Sequence, residues 1–192
     1  MSFWTSKGSN PKRKFRFMVT IGGAGWSGDT EIWYAKSCTA PSVEVSSVEH
    51  MFSDHVFNFP GKAKWGDVEM VLVDPAGGGL NAAEDTTNTV RNFNELLKTF
   101  GYEIPSNGND PGNYGTISRN KVQALNIHIK ALDDNGETIE DWTLHNAFPI
   151  SFKYGDFDYN ADDLREMNVT WKYDWAEANT KGAASPFLGR GV

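Results

Sequence analysis

Across residues 122–175 polar and apolar side chains alternate over long runs, and extended strands with one dry face and one wet face satisfy that order. In the first run Leu125, Ile127, Ile129 and Ala131 fall on one side, while Asn126, His128 and Lys130 fall on the other. Asp133, Asp134, Asn135 and Gly136 follow, short polar side chains and a glycine that tolerates positive φ, which predicts a tight hairpin turn. Beyond Ala147, Phe148 and Pro149 comes the acidic stretch 155–163. The next strand is predicted to set Arg165, Met167, Val169, Trp171, Tyr173 and Trp175 on an aromatic face, with Glu166, Asn168, Thr170, Lys172 and Asp174 opposite.

Upstream the pattern is also mostly strand. Phe15, Phe17, Val19 and Ile21 alternate with Arg16, Met18 and Thr20; residues 31–39 set Trp33 and Ala35 against Tyr34 and Lys36. The glycine-rich residues 22–28 between them predict a hairpin turn. Val43, Val45 and Val48 continue the β pattern into residues 50–61, where Met51, Phe52, Val56, Phe57 and Phe59 make the segment too aromatic for a solvated loop. Such side chains either fold onto their own domain as strand or dock onto another subunit, and residues 43–65 are expected to form one extended hairpin. A helix is expected over about residues 85–100, from Val90, Phe93, Leu96, Leu97 and Phe100 at spacings of three and four. Asp85 or Thr86 would cap its start and Gly101 would close it. One helix among about seven or more strands implies an all-β core with the helix over an open end or face.

At 192 residues the chain suits one domain. The expected division is an N-terminal arm over residues 1–14, a β domain over 15–176 with a loop insertion at about 101–118, and a C-terminal arm over 177–192. A net charge of −7 argues against general affinity for nucleic acid, which relies on clustered Lys and Arg. The local exception is Lys12, Arg13, Lys14 and Arg16, read as a solvated strand entrance or an arm that meets an acidic neighbour. Cys38 is the only cysteine, so no intrachain disulfide forms, and it reads as a small buried hydrophobe rather than a nucleophile. No run has the length of a signal peptide or a membrane span, so a soluble chain assembled where it is made is expected, with no membrane insertion.

Taken in order, several features resemble the tail tube proteins of contractile-tailed bacteriophages. They are Ala40-Pro41, Gly61 with Trp65 and Asp67, the apolar run 68–74, the helix around 90–100, the turn 133–136, Phe148-Pro149, the acidic turn 156–163 and the closing strand 169–175. Together they span residues 15–176, and their order rather than any single motif carries the likeness. The resemblance implies an antiparallel β-sandwich or barrel of the tail tube type with one helix. It further implies hexameric rings stacked into the inner tube of a contractile tail, through which DNA passes without specific binding. Sheath protein, baseplate tube initiator, tail terminator and tape-measure protein would be its partners, and the virion its location after assembly in the host cytoplasm. A baseplate initiator or the tube of a phage-like secretion system is the closest alternative. Inter-subunit contact candidates are Met51, Phe52, Phe57, Phe59, Lys12 and Arg13. Asn126, His128, Lys130, Glu166, Asn168 and Thr170 are candidates to face the lumen or a neighbour.

Catalytic and metal motifs are weak. Asp156, Asp158, Asn160 and Asp162 have the spacing of half a calcium loop, but Ala161 stands where the turn needs glycine and Met167 where a closing Glu belongs, so a hairpin tip is the better reading. His50, His55, His128 and His145 form no zinc pattern with the single cysteine, and neither a nucleophile elbow nor a phosphate loop is present. No cofactor is expected, and an enzyme is not. Asn168-Val169-Thr170 matches a glycosylation acceptor that stays unmodified without secretion. A carbohydrate-binding β-sandwich using its Trp residues as a stacking platform is the rival from another class; against it, Trp171 and Trp175 alternate with polar residues on a regular strand, as core packing predicts.

Overall fold

The computed structural model describes residues 11–23, 30–32, 35–75, 88–102, 115–122 and 125–180. Five strands build the first antiparallel sheet: β1 (Phe17–Gly22), β2 (Thr30–Ile32), β7 (Asn126–Leu132), β8 (Thr138–His145) and β11 (Trp175–Thr180), in the order β11-β8-β7-β1-β2. Four build the second: β3 (Ala35–Cys38), β6 (Val68–Val73), β9 (Phe148–Lys153) and β10 (Glu166–Lys172), in the order β3-β6-β10-β9. Two more, β4 (Val43–Phe52) and β5 (His55–Trp65), pair only with each other among the described residues. The fold is mainly antiparallel β, as the alternation predicts.

Both larger sheets turn their apolar faces into one core. Val19, Ile21, Ile127 and Leu144 enter it from the first, and Val68, Met70, Leu72, Met167, Val169 and Trp171 from the second. Helix α1 (Thr89–Thr99) adds Phe93 and Leu96, with Phe100 just beyond its end. Phe93 meets Phe152 edge-on at 4.8 Å between ring centres and lies 6.0 Å from Trp171, so the helix is pinned across the second sheet by aromatic contact. Its start is capped by Asn88, whose side chain accepts from the Arg91 amide, rather than by Asp85 or Thr86, which lie outside the described residues. Gly101, at φ 101°, closes its other end as expected.

The β7–β8 turn forms where predicted. The Asp133 carboxylate accepts from the amides of Asn135 and Glu137, each at 2.8 Å, and Gly136 takes φ 83°. The expectation of strand from Val122 fails: residues Arg119–Val122 form one helical turn, α2, and β7 begins at Asn126. A second correction concerns Trp175. The chain leaves the second sheet after Lys172 and joins the first at Trp175, which pairs with His145. Asp174 holds that corner: its amide donates to the His145 carbonyl at 3.1 Å, and its carboxylate accepts from Asn146 at 2.7 Å and pairs with Arg119. The alternation restarts there, so Ala176 and Ala178 are buried while Trp175 remains 43% exposed. Lastly, β11 runs to Thr180, past the arm boundary expected at residue 176.

Candidate assembly surface

Strands β4 and β5 form a hairpin whose residues are exposed from Val43 to Lys64, with no other layer over either face among the described residues. Its foot is fixed. The Gly66 amide donates to the Ser42 carbonyl at 2.8 Å, Trp65 packs 6.0 Å from the Tyr173 ring, and Lys172 pairs with Asp67 at 2.6 Å. Above the foot a bulge follows Val45. There the Ser46 hydroxyl accepts from the Lys62 amide at 2.9 Å, and a side chain at Gly61 would fall 2.4 Å from that hydroxyl. The far end turns through Ser53 and Asp54, with Ser53 at φ 54°.

Register sorts the side chains beyond the bulge. Cross-strand partners share a face and successive residues alternate. The pairs Val48↔Phe59, His50↔Phe57 and Phe52↔His55 therefore lie on one face, and Ser47↔Pro60, Glu49↔Asn58 and Met51↔Val56 on the other. Phe52, Phe57 and Phe59 thus form one aromatic surface with Val48. Phe52 is 71% and Phe59 54% exposed, so the surface is open to solvent. Met51, grouped with them in the sequence, is on the reverse.

The remaining candidates are placed elsewhere. Lys12 pairs with Glu140 on β8, and Arg13 is exposed beside it, its carbonyl accepting from the Arg16 amide at 3.2 Å. Asn126, His128 and Lys130 lie on the outer surface of the first sheet, where His128 Nδ1 is 3.1 Å from the Thr143 hydroxyl and 3.4 Å from the Asp141 carboxylate. Glu166, Asn168 and Thr170 lie on the outer surface of the second, and Lys36 pairs with Glu166. Because both sheets point inward to one core, the two triplets face away from each other and cannot form one wall. A shallow depression over the second triplet's face is lined by Glu69, Val71, Ser151, Lys153, Asn168 and Thr170.

Sequence reasoning missed two exposed aromatic groups. Trp175 stacks on His145 at 4.9 Å between ring centres with 20° between planes, and no count along β10 could reveal this because the chain changes sheets. Phe157 and Tyr159 stand out on the β9–β10 loop, where the Arg165 guanidinium sits 4.3 Å over the Phe157 ring, bonds the Tyr154 carbonyl at 2.8 Å and pairs with Asp74 at 2.9 Å. In that loop the Asp158 carboxylate accepts from the Asn160 amide at 2.9 Å. Among the described residues no group of three or more His, Cys, Asp or Glu is placed to hold a metal ion, and no helix is long and apolar enough to cross a membrane. Cys38 is half-buried, and burial pushes its thiol up to about 12, so it is held as a protonated thiol.

No protein-family model matches the chain, and no curated protein does. Solved structures do. A chain of the anti-feeding prophage cap, a tube-terminating cap, matches with TM-score 0.62 at 19% identity, covering 90% of this chain and 93% of that one. A chain of the PVC sheath–tube complex, from an extracellular contractile injection system in its extended state, matches with TM-score 0.61 at 18% identity over 94% and 99%. One from the anti-feeding prophage baseplate matches with TM-score 0.63 at 14% identity over 90% and 97%. With two larger sheets, one long helix and a projecting hairpin among its described residues, the chain shares the fold of these chains of contractile injection systems.

Proposed function

We propose that the protein is a structural tube subunit whose copies form hexameric rings stacked into the inner tube of a contractile tail. The observation that carries this reading is the β4–β5 hairpin. An isolated two-stranded sheet is marginal in water, and this one bears Val48, Phe52, Phe57 and Phe59 on an open face. A second copy of the chain is the occupant that recurs at every position of a homomeric tube, so the aromatic face packs on the next subunit, in the same ring or the next. The edge strands β2, β11, β3 and β9 among the described residues supply further pairing sites, and closing a ring uses edges that would otherwise template aggregation. Sheath, baseplate initiator, terminator and tape-measure proteins would be its partners in the particle. The net charge of −7 suits a channel that lets DNA slide without adhesion. Of the two outward polar faces, one lines the lumen and the other meets a neighbour.

Electron microscopy and sedimentation of the purified protein test this. Rings or tubes of uniform bore are expected. Phe57→Ser with Phe59→Ser should leave the monomer folded and abolish tubes. Long tubes after deletion of residues 50–58 would exclude the hairpin role. Monomers that bind a glycan array would favour the carbohydrate-binding alternative.

A further inference from the structure

The hairpin's aromatic face contains two imidazoles. His50 lies opposite Phe57 and His55 opposite Phe52, and the His55 ring meets Phe57 edge-on at 4.7 Å and 79°. The charged residues of both strands lie off this face. Glu49 pairs with Asn58 on the reverse, Asp54 is in the turn, and Glu44, Lys62 and Lys64 lie at or below the bulge. Along the face from Val48 to Phe52 and from His55 to Phe59, the side chains are aliphatic, aromatic or imidazole.

We propose that His50 and His55 make the hairpin contact proton-sensitive: the face packs on a second copy only with both rings neutral, and their protonation releases it. This rests on the reading above that the face is covered by another copy. A neutral imidazole, with an apolar body and one donor and one acceptor, enters an aromatic interface at modest cost. An imidazolium entering the same interface loses its hydration with no carboxylate on the face to replace it. Cation–π attraction to Phe57 is worth less than that loss, and it is equally available to the uncovered hairpin. The sign follows from linkage. Uncovered hairpins bind protons that covered ones do not, so a falling pH draws the equilibrium toward uncovered, dissociated subunits. Histidine is the side chain whose ordinary range places this change between about pH 5 and 8.

The test is sedimentation velocity of the full chain at fixed concentration from pH 7.5 to pH 5.5, a range that leaves exposed carboxylates ionised. Wild-type association is expected to weaken by roughly tenfold or more over that range. His50→Gln with His55→Gln should hold its association nearly constant. If those glutamines themselves weaken assembly at pH 7.5, His50→Phe with His55→Phe provides the same comparison. His145→Gln should retain the wild-type response, since this ring stacks on Trp175 in the first sheet and lies beside Glu177. Equal wild-type assembly at both pH values, or a parallel loss in wild type and His50/His55 variants, overturns the proposal. Failure of the underlying reading looks different: Phe57→Ser with Phe59→Ser would then assemble like wild type at pH 7.5.

Discussion

Single residues show where local chemistry dictates the chain's path and where it only permits it. Gly136 and Gly155 both take positive φ, at 83° and 75°, a region that disfavours any residue with a Cβ. Their surroundings differ. A Cβ at Gly136 meets nothing within 4 Å, whereas one at Gly155 falls 2.3 Å from the Glu166 carbonyl and 3.2 Å from Arg165 Cγ. Gly136→Ala should therefore cost about 1 kcal/mol, the conformational term alone. Gly155→Ala should cost roughly 2 kcal/mol or more beyond that, because the start of β10 must move. Urea unfolding of both variants measures the gap, and equal losses would show that the β9–β10 loop yields freely. Composition flags Gly136 inside its polar turn, but nothing near Gly155 reveals the Glu166 carbonyl, which only the folded chain brings there. Cys38 was partly legible in the same way: a small apolar side chain in a strand, here half-buried and facing the core beside Met70.

At the scale of elements, burial divides the strands into two classes. β6 and β10 alternate buried with exposed or half-buried residues and pair over six positions, from Val73 with Glu166 to Val68 with Trp171. β4 and β5 pair over more, yet no residue of either is buried. Their amides have hydrogen bonds but no packing to hold the ladder shut, so opening requires no disruption of the core. In the monomer, β4–β5 amides should exchange with solvent at least a hundredfold faster than those of β6 and β10, a difference of about 3 kcal/mol in opening free energy at 1.36 kcal/mol per tenfold. Assembly should slow the hairpin selectively. Hydrogen exchange with mass spectrometry reads both, and equal protection of hairpin and core in the monomer would contradict the assigned exposure. Much of this element was legible. Period two in His55, Phe57 and Phe59 marks a strand, and its aromatic content marks a surface to be covered. The sharing of one face with Val48, His50 and Phe52 was not, because it depends on a bulge at Ser46 and a turn at Ser53 that set the register between strands.

For the molecule as a whole, the question is whether two sheets make one cooperative unit. Sequence patterns identified most strands but could not assign them to sheets, since β1 pairs with β7 and β6 with β10 across long intervening segments. Nor could they show that the polar triplets of β7 and β10 face opposite ways. The chain crosses between sheets within a short link after β2, after β8 and after β10, so neither sheet can detach without breaking the corners that hold the other. The core follows suit: Leu144 from the first sheet and Leu72 from the second belong to the same buried cluster. Leu144→Ala and Leu72→Ala should each cost roughly 2–5 kcal/mol, the range for a buried leucine that leaves a cavity. Both should lower one shared transition, with tryptophan fluorescence and far-ultraviolet circular dichroism moving together. Sheets that unfold separately would instead give two transitions, with each variant shifting only its own. Such a split would leave Trp171, which sits between Phe93 and the strands, reporting on one sheet alone, and the shared aromatic core would cease to explain why the helix stays in place.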